Sequence, residues 1–159
     1  MTSPDAKNEL QSGREVALDG AGLRIGIACA RFNDVLTDQL LARCRDRLVA
    51  LGVKGDDITE AWVAGSFELP LAAKSMAASG RFDAVVALGA VIKGESAHFD
   101  HVATQCAAGI MRAGLDTGVP VIFGVLTTYT PEQAIARVGT GAESADAAVE
   151  MAALIRSLA

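Results

Sequence analysis

AVVALGAVI, at residues 84–92, is the part of this sequence from which a fold follows most directly. It is apolar almost throughout, which is typical of a strand in a parallel sheet that is covered on both faces. The segment after it, KGESAHFDHV at residues 93–102, has a glycine turn and then two histidines at a predicted helix start. A buried strand that leads through a turn into a helix is the repeating unit of α/β proteins.

Strands alternate with helices along the rest of the chain. Besides residues 84–92, buried strands are predicted at residues 23–30, 58–64 and 120–128, and helices at residues 34–51, 69–80, 98–117, 131–139 and 144–158. Because parallel strands need right-handed crossovers, this order predicts a flavodoxin-like three-layer α/β/α sandwich with a four-stranded parallel sheet. Ligands of such sheets bind beyond the carboxyl ends of the strands, so we expect the chemistry in the loops that follow them.

The length and composition indicate one globular domain. A chain of 159 residues, 51% of them hydrophobic, can bury a single core. We predict a domain at residues 21–159, preceded by a flexible segment at residues 1–20 that is polar and interrupted by Pro4, Gly13 and Gly20. That segment would pair only with something outside the domain.

Charge and apolar content exclude several classes of partner. With 14 basic and 19 acidic residues, a net charge of −5 and no basic run, the chain is expected to bind neither nucleic acid nor an anionic membrane. Residues 1–10 lack the apolar stretch of a signal peptide, and no segment reaches membrane-spanning length, which predicts a cytoplasmic protein. Cys29, Cys44 and Cys106 lie in apolar patterns and are predicted to be buried, reduced thiols.

The predicted helix at residues 98–117 is unusually rich in small residues. Ala107, Gly109 and Gly114 are examples of positions that leave little side-chain bulk. Such a face permits close approach of another helix or of a symmetry mate, and tight packing on the chain's own sheet is the alternative.

The loop after residues 84–92 has the features of an anion site. Backbone N–H groups at a helix start, together with the helix dipole, favour negative charge. Gly89 and Gly94 have the G-x-x-x-x-G spacing of a P-loop, but Glu95 and Ser96 follow where a lysine and a serine or threonine are needed. We therefore expect a phosphate to bind here, but not a nucleoside triphosphate.

His98 is the candidate catalytic residue. It lies just inside the predicted helix start, where the positive end of the dipole favours an uncharged imidazole that can accept a proton, although it could also only cap the turn. His101 follows three residues later, but no third ligand lies at useful spacing, so no metal site is predicted. A Ser96, His98 and Asp100 triad is not expected, because neighbours on one turn cannot reach the geometry of a triad.

Further candidates stand at the exits of the other strands. Phe32 and Phe67 are loop aromatics, which favours stacking on a flat substrate, with core packing as the alternative. Glu68 could bind a ligand or complement the dipole of the next helix. Arg137 could clamp a phosphate or lie on a solvated face.

Taken together, five segments resemble the 6,7-dimethyl-8-ribityllumazine synthase family, which catalyses the penultimate step of riboflavin biosynthesis. They occur in the family's order and cover nearly all of the chain from Leu23 onward. The segments are RFND (31–34), VAGSFELPLAAK (63–74), ALGAVIKGESAHFDHVA (87–103), GVPVIFGVLTT (118–128) and EQAIARVGT (132–140).

The resemblance implies a condensation of 5-amino-6-(D-ribitylamino)uracil with 3,4-dihydroxy-2-butanone 4-phosphate, which releases phosphate and two waters without a metal or an organic cofactor. It implies that His98 donates and accepts the protons. The substrate-binding residues that it implies are Phe32, Ser66, Phe67, Glu68, Ala90, Val91, Ile92, Glu95, Ser96, Phe123 and Arg137. Phe123 and Arg137 would come from the neighbouring subunit's half of the site.

The resemblance also implies a homo-oligomer, either a pentamer or an icosahedral capsid of twelve pentamers. The small-residue helix would line the pentamer, and REVAL, at residues 14–18, would add a strand to a neighbour's sheet. Relatives often have Asn-Lys-Gly where this chain has Ser144, Ala145 and Asp146. The missing lysine favours the alternative of a non-catalytic shell or scaffold protein, and a third interpretation is a flavin- or lumazine-binding protein, which would not need His98.

Overall fold

The computed structural model describes residues 13–159. Residues 1–12, the larger part of the segment predicted to be flexible, lie outside the described residues. Residues 13–19 form neither helix nor strand. REVAL is therefore not a strand within this chain, and its pairing with a neighbouring subunit stays a prediction.

The described chain forms one sheet of four parallel strands. The strands are β1 (Ile25–Ala30), β2 (Ile58–Val63), β3 (Ala84–Ile92) and β4 (Val121–Thr128). Their spatial order is β2-β1-β3-β4. β3 has the predicted bounds and is buried at every residue but its last, because β1 and β4 flank it and helices cover both of its faces.

Helices form the two outer layers. They are α1 (Asp34–Ala50), α2 (Leu69–Ala78), α3 (His98–Thr117), α4 (Pro131–Ile135) and α5 (Thr140–Leu158). α1 and α5 pack around Leu40, Leu48 and Val149 on one face, while α2 and α3 pack around Leu69 and Ile110 on the other. The predicted flavodoxin-like three-layer sandwich is confirmed. None of the helices between residues 13 and 159 combines the length and hydropathy that crossing a bilayer requires.

The start of α5 was mispredicted. The helix begins at Thr140 rather than at residue 144, because Gly141 serves a close approach between helices and does not interrupt the helix. A Cβ atom at Gly141 would overlap the backbone carbonyl of Leu40 in α1. One turn further, Arg47 Nε donates to Asp146 Oδ1 at 2.6 Å and joins the same two helices.

The small residues of α3 serve two different surfaces. Gly109 lies against α2, where an added Cβ atom would be 2.6 Å from Cβ of Pro70. Ala107 and Gly114 instead line a groove of about 450 Å³ that is open to solvent on this chain. Close packing against α2 therefore explains the small residue at position 109. It does not explain the small residues at positions 107 and 114, which line the groove.

Candidate active site

The candidate site lies where the strand order reverses, between the carboxyl ends of β1 and β3. At such a point the loops after the two central strands leave toward opposite faces and open a crevice. Three loops meet there, and they follow β1, β2 and β3. Several residues predicted from the sequence to bind ligand lie in these loops and line the crevice.

Two adjoining cavities form the crevice. The first, of about 220 Å³, is lined by Phe32, Ser66, Ala90, Val91, Ile92, Gly94, Ser96, His98, Phe99 and Val102. The second, of about 510 Å³, is lined by Phe32, Ala64, Gly65, Ser66, Phe67, Glu68, His98, His101 and Val102. The two cavities share Phe32, Ser66, His98 and Val102, so they are continuous enough for one extended ligand to occupy both.

Ser66 is held against β3 by a close backbone contact. Its side chain is buried, and a Cβ atom at Gly89 would lie only 2.7 Å from Ser66 Oγ and 3.3 Å from Leu69 Cδ1. Glycine at position 89 is thus required for the loop after β2 to reach the strand. Phe67 and Glu68, the next two residues, are exposed and face the larger cavity.

Phe32 presents an exposed ring on a fixed backbone. The side chain is 72% exposed although it lines both cavities. Its backbone N–H donates to the carbonyl of Ala64 at 3.0 Å, and that of Arg31 donates to Val63 at 2.8 Å. An aromatic face that is held in solvent at the edge of a sheet is suited to stacking on a planar ligand.

His98 is the first residue of α3, as predicted. Its exposed side chain lines both cavities, and its backbone N–H lies 3.4 Å from Ser96 Oγ. The N–H groups of Asp100 and His101 are turned to the carbonyl of Ala97, which closes the first turn. The imidazole therefore stands at the positive end of the α3 dipole, beside the loop that was predicted to bind an anion.

Three predicted site residues are not part of the crevice lining, and two of them, Phe123 and Arg137, lie on other surfaces of the chain. Phe123, on β4, is 42% exposed and lines the groove of about 450 Å³ beside Met111 and Ile155. Arg137 follows α4 on the surface, where its Nη1 donates to the carbonyl of Gln133 at 2.9 Å. Neither residue lines either cavity around His98.

A comparison with known families shows which family this chain belongs to. The family model described as 6,7-dimethyl-8-ribityllumazine synthase matches residues 22–156, which includes every strand and almost all of α5. This chain belongs to the 6,7-dimethyl-8-ribityllumazine synthase family. Membership connects it with riboflavin biosynthesis.

Ser144, Ala145 and Asp146, where the family resemblance leads one to expect Asn-Lys-Gly, lie on α5, away from the crevice. Ala145 is buried in the core, and Ser144 Oγ donates to the carbonyl of Thr140 at 2.7 Å. Asp146 is paired with Arg47 of α1. In this chain the segment thus packs α5 against α1, and none of its side chains lines the cavities around His98.

The cysteines are buried and free, as predicted. Burial raises the pKa of Cys29 and of Cys44 to about 12, and that of Cys106 to about 11. Thiols that stay protonated at neutral pH are poor nucleophiles. Among residues 13–159, no group of three or more His, Cys, Asp or Glu side chains is placed to hold a metal ion.

Sequence reasoning missed several residues of the crevice. Val102 lies one helical turn after His98, so the i, i+4 spacing of α3 could have predicted it. Phe99 also lines the smaller cavity, and its ring centroid lies 6.3 Å from that of Tyr129. The Tyr129 ring centroid in turn lies 5.5 Å from Lys93 Nζ.

Glu95, which was predicted to bind substrate, is exposed and lines neither cavity.

Proposed function

We propose that this family member is an active lumazine synthase that condenses 5-amino-6-(D-ribitylamino)uracil with 3,4-dihydroxy-2-butanone 4-phosphate. The products are 6,7-dimethyl-8-ribityllumazine, phosphate and two waters. The observation that carries the proposal is the convergence of Phe32, Ser66 and His98, from three separate loops, on one crevice. A proton carrier, a stacking surface and a helix start together suit a condensation that expels phosphate.

The pyrimidine is assigned to the smaller cavity. The exposed ring of Phe32 would stack on it, while the backbone of Ala90, Val91 and Ile92 would meet its polar edge. The ribityl chain is assigned to the larger cavity, where Ser66, Phe67 and Glu68 supply hydroxyl, aromatic and carboxylate groups. A sugar-like chain needs several such hydrogen-bonding groups for orientation.

The phosphate of the second substrate is assigned to the start of α3. Ser96 would bind it with its hydroxyl and its backbone N–H, in the field of the helix dipole. Glu95 would contribute only its backbone N–H, because its carboxylate would repel the phosphate. Glu95 is exposed and lines neither cavity, so the main phosphate contact is assigned to Ser96, which lines the smaller one.

His98 would move the protons. The amine of the pyrimidine and the ketone form an imine with loss of water, and a proton then leaves the adjacent carbon as phosphate departs. Loss of phosphate leaves an enol at the carbon that bears the hydroxyl group, and this enol takes up a proton to become a ketone. The ribitylamino nitrogen of the pyrimidine then adds to that ketone and closes the ring with loss of the second water. An imidazole within reach of these centres contributes about 10²- to 10⁴-fold in such steps, and holding both reactants together supplies much of the rest.

A neighbouring subunit would complete the site in a homo-oligomer, a pentamer or a capsid of twelve pentamers. Phe123 and Arg137 lie outside the crevice of their own chain, which supports a role in the crevice of the next one. Met111 and Leu115 are 65% and 76% exposed along the groove beside Phe123, and an apolar surface of this kind is typical of an interface.

The test is direct. Purified, assembled protein is mixed with both substrates, and formation of the lumazine is followed by its absorbance and fluorescence while released phosphate is measured in parallel. Product above the uncatalysed rate supports the synthase. Assembled protein that gives none would favour the shell or scaffold protein, or, if it binds lumazine or flavin tightly, a binding protein of the same fold.

A further inference from the structure

Asn33 joins three elements next to the crevice residues Phe32 and Ala90. It follows Phe32 directly, and its carbonyl accepts the N–H groups of Leu36 and Thr37 at the start of α1. Its side-chain Nδ2 donates to the carbonyl of Ala90 on β3 at 2.8 Å. One residue therefore connects the loop after β1, the first turn of α1 and the end of β3.

The bond to Ala90 replaces a missing stretch of sheet. β1 pairs with β3 only as far as Cys29 and Leu88, whereas β3 continues to Ile92. Ala90 is thus two residues beyond the last pair with β1. Without a partner on that side, its buried carbonyl would lose a hydrogen bond, which is unfavourable inside a protein.

The backbone of Asn33 is as specialised as its side chain. Its φ of 63° and ψ of 40° place it in the left-handed region, and among residues 13–159 it is the one non-glycine residue with positive φ. Asparagine tolerates this conformation better than most residues. The conformation turns the chain sharply between Phe32 and α1, so that the amide points at β3 while the Phe32 ring faces the cavities.

We propose that Asn33 is a positioning residue for the pyrimidine half of the site, an inference that rests on the proposed function. Its side-chain amide bonds to Ala90 and so fixes the distance between the Phe32 ring, which would stack on the pyrimidine, and the backbone of Ala90, Val91 and Ile92. Two backbone bonds, to Val63 at the end of β2 and to Ala64 after it, hold the same loop from the other side. Asn33 touches the protein rather than the reacting atoms, so its effect appears in pyrimidine binding.

The decisive variant is Asn33→Gly. Glycine keeps access to positive φ and removes the amide, so the turn survives while the bond to Ala90 is lost. We expect the KM for the pyrimidine to rise about tenfold, the upper end of what one hydrogen bond supplies, and the KM for the ketone phosphate and kcat to stay within about twofold. An equal rise in both KM values, or no rise in either, overturns the proposal.

Asn33→Asp tests the side-chain hydrogen-bond donor separately from the backbone turn at residue 33. Aspartate keeps the size of the side chain and tolerates positive φ, but an ionised carboxylate cannot donate to the Ala90 carbonyl. The pyrimidine KM should rise at least as much as in Asn33→Gly. A normal pyrimidine KM in Asn33→Asp would show that the donor is dispensable and would overturn the proposal.

Gln39→Ala is the matched control. Gln39 Nε2 donates to the carbonyl of Val35 at 3.2 Å on the exposed side of α1, so the variant also removes one amide-to-carbonyl bond close by. We expect both KM values to be unchanged. A pyrimidine-specific rise in this variant would mean that any disturbance of α1 is sufficient, and it would overturn the assignment to Asn33.

Hydrogen exchange tests the link without turnover. A peptide that spans residues 28–36 should exchange about tenfold faster at its protected amides in Asn33→Gly and Asn33→Asp than in the parent or in Gln39→Ala. Unchanged exchange in both Asn33 variants overturns the inference. A parent protein that makes no lumazine removes the proposed function instead, and the exchange comparison still decides whether Asn33 holds the loop.

Discussion

The two halves of the proposed site differ in how the chain builds them. The half around His98 is complete within one chain, because three loops meet where the strand order reverses and Gly89 lets Ser66 reach β3. The other half, Phe123 and Arg137, stands on exposed surfaces that do not meet that crevice. In the proposed site, one sheet edge would preorganise the pyrimidine and the proton carrier, whereas the phosphate clamp would depend on a second copy.

The largest expected effect comes from the complete half. His98→Ala should lower kcat about 100-fold, since a positioned general acid and base is removed while the helix start remains. Native mass measurement should give the same assembly as the parent, because the exposed imidazole contributes no buried contact. A kcat within about twofold of the parent would remove His98 from the proposed chemistry.

A smaller, more selective effect is expected from the other half. Arg137→Ala should raise the KM for the ketone phosphate about 30-fold by removing a charge-assisted hydrogen bond, and change the KM for the pyrimidine little. Steady-state kinetics with each substrate varied in turn measures this. Equal effects on both substrates would place Arg137 elsewhere.

Mixing the two variants tests the division between the halves. If His98 and Arg137 act on one substrate pair from different subunits, randomly co-assembled His98→Ala and Arg137→Ala chains hold about a quarter intact sites. At low ketone phosphate, activity should then rise about eightfold above Arg137→Ala alone and about 25-fold above His98→Ala alone, because about a quarter of the sites are intact. The control is the same mixture without unfolding and reassembly, which should show no gain. No gain after reassembly would mean that both residues serve the same chain's site.

The smallest effect on activity is expected from modification of the cysteines in the core, away from both halves of the site. Because burial raises the pKa of Cys29 and Cys44 to about 12, these thiols should resist alkylation at about pH 8 in folded protein and react readily in urea. Activity should be unchanged after such treatment. Mass spectrometry follows the modification, and rapid labelling of the folded protein would contradict the assigned burial.

The same thiols have a consequence for stability. Their folded-state pKa values lie above the ordinary value of 9.0, so above about pH 9 the folded chain keeps protons that the unfolded chain releases. The free energy of unfolding should therefore fall as the pH rises from about 9 toward about 12. Replacing Cys44 by alanine, with its own loss of packing measured at about pH 7, should make that fall less steep.

The fold and the local features of the site were predictable because their signals are local. The apolar run of β3 and the helix start at His98 are short-range patterns, and the structure has both at the predicted residues. The start of α5 was not predictable in this way. A glycine at position 141 looks like a helix break in sequence, and only its contact with Leu40 of α1 shows why the helix needs it.

The sequence by itself determined the order of strands and helices and the start of α3 at His98, because periodicity and helix-start signals depend on neighbours in the chain. Only the tertiary structure decided that Asn33 supports Ala90, 57 residues away, and that Phe123 and Arg137 stand apart from His98. Such relations depend on which strand ends first and which surface stays uncovered. Those are properties of the assembled sheet and of no single segment.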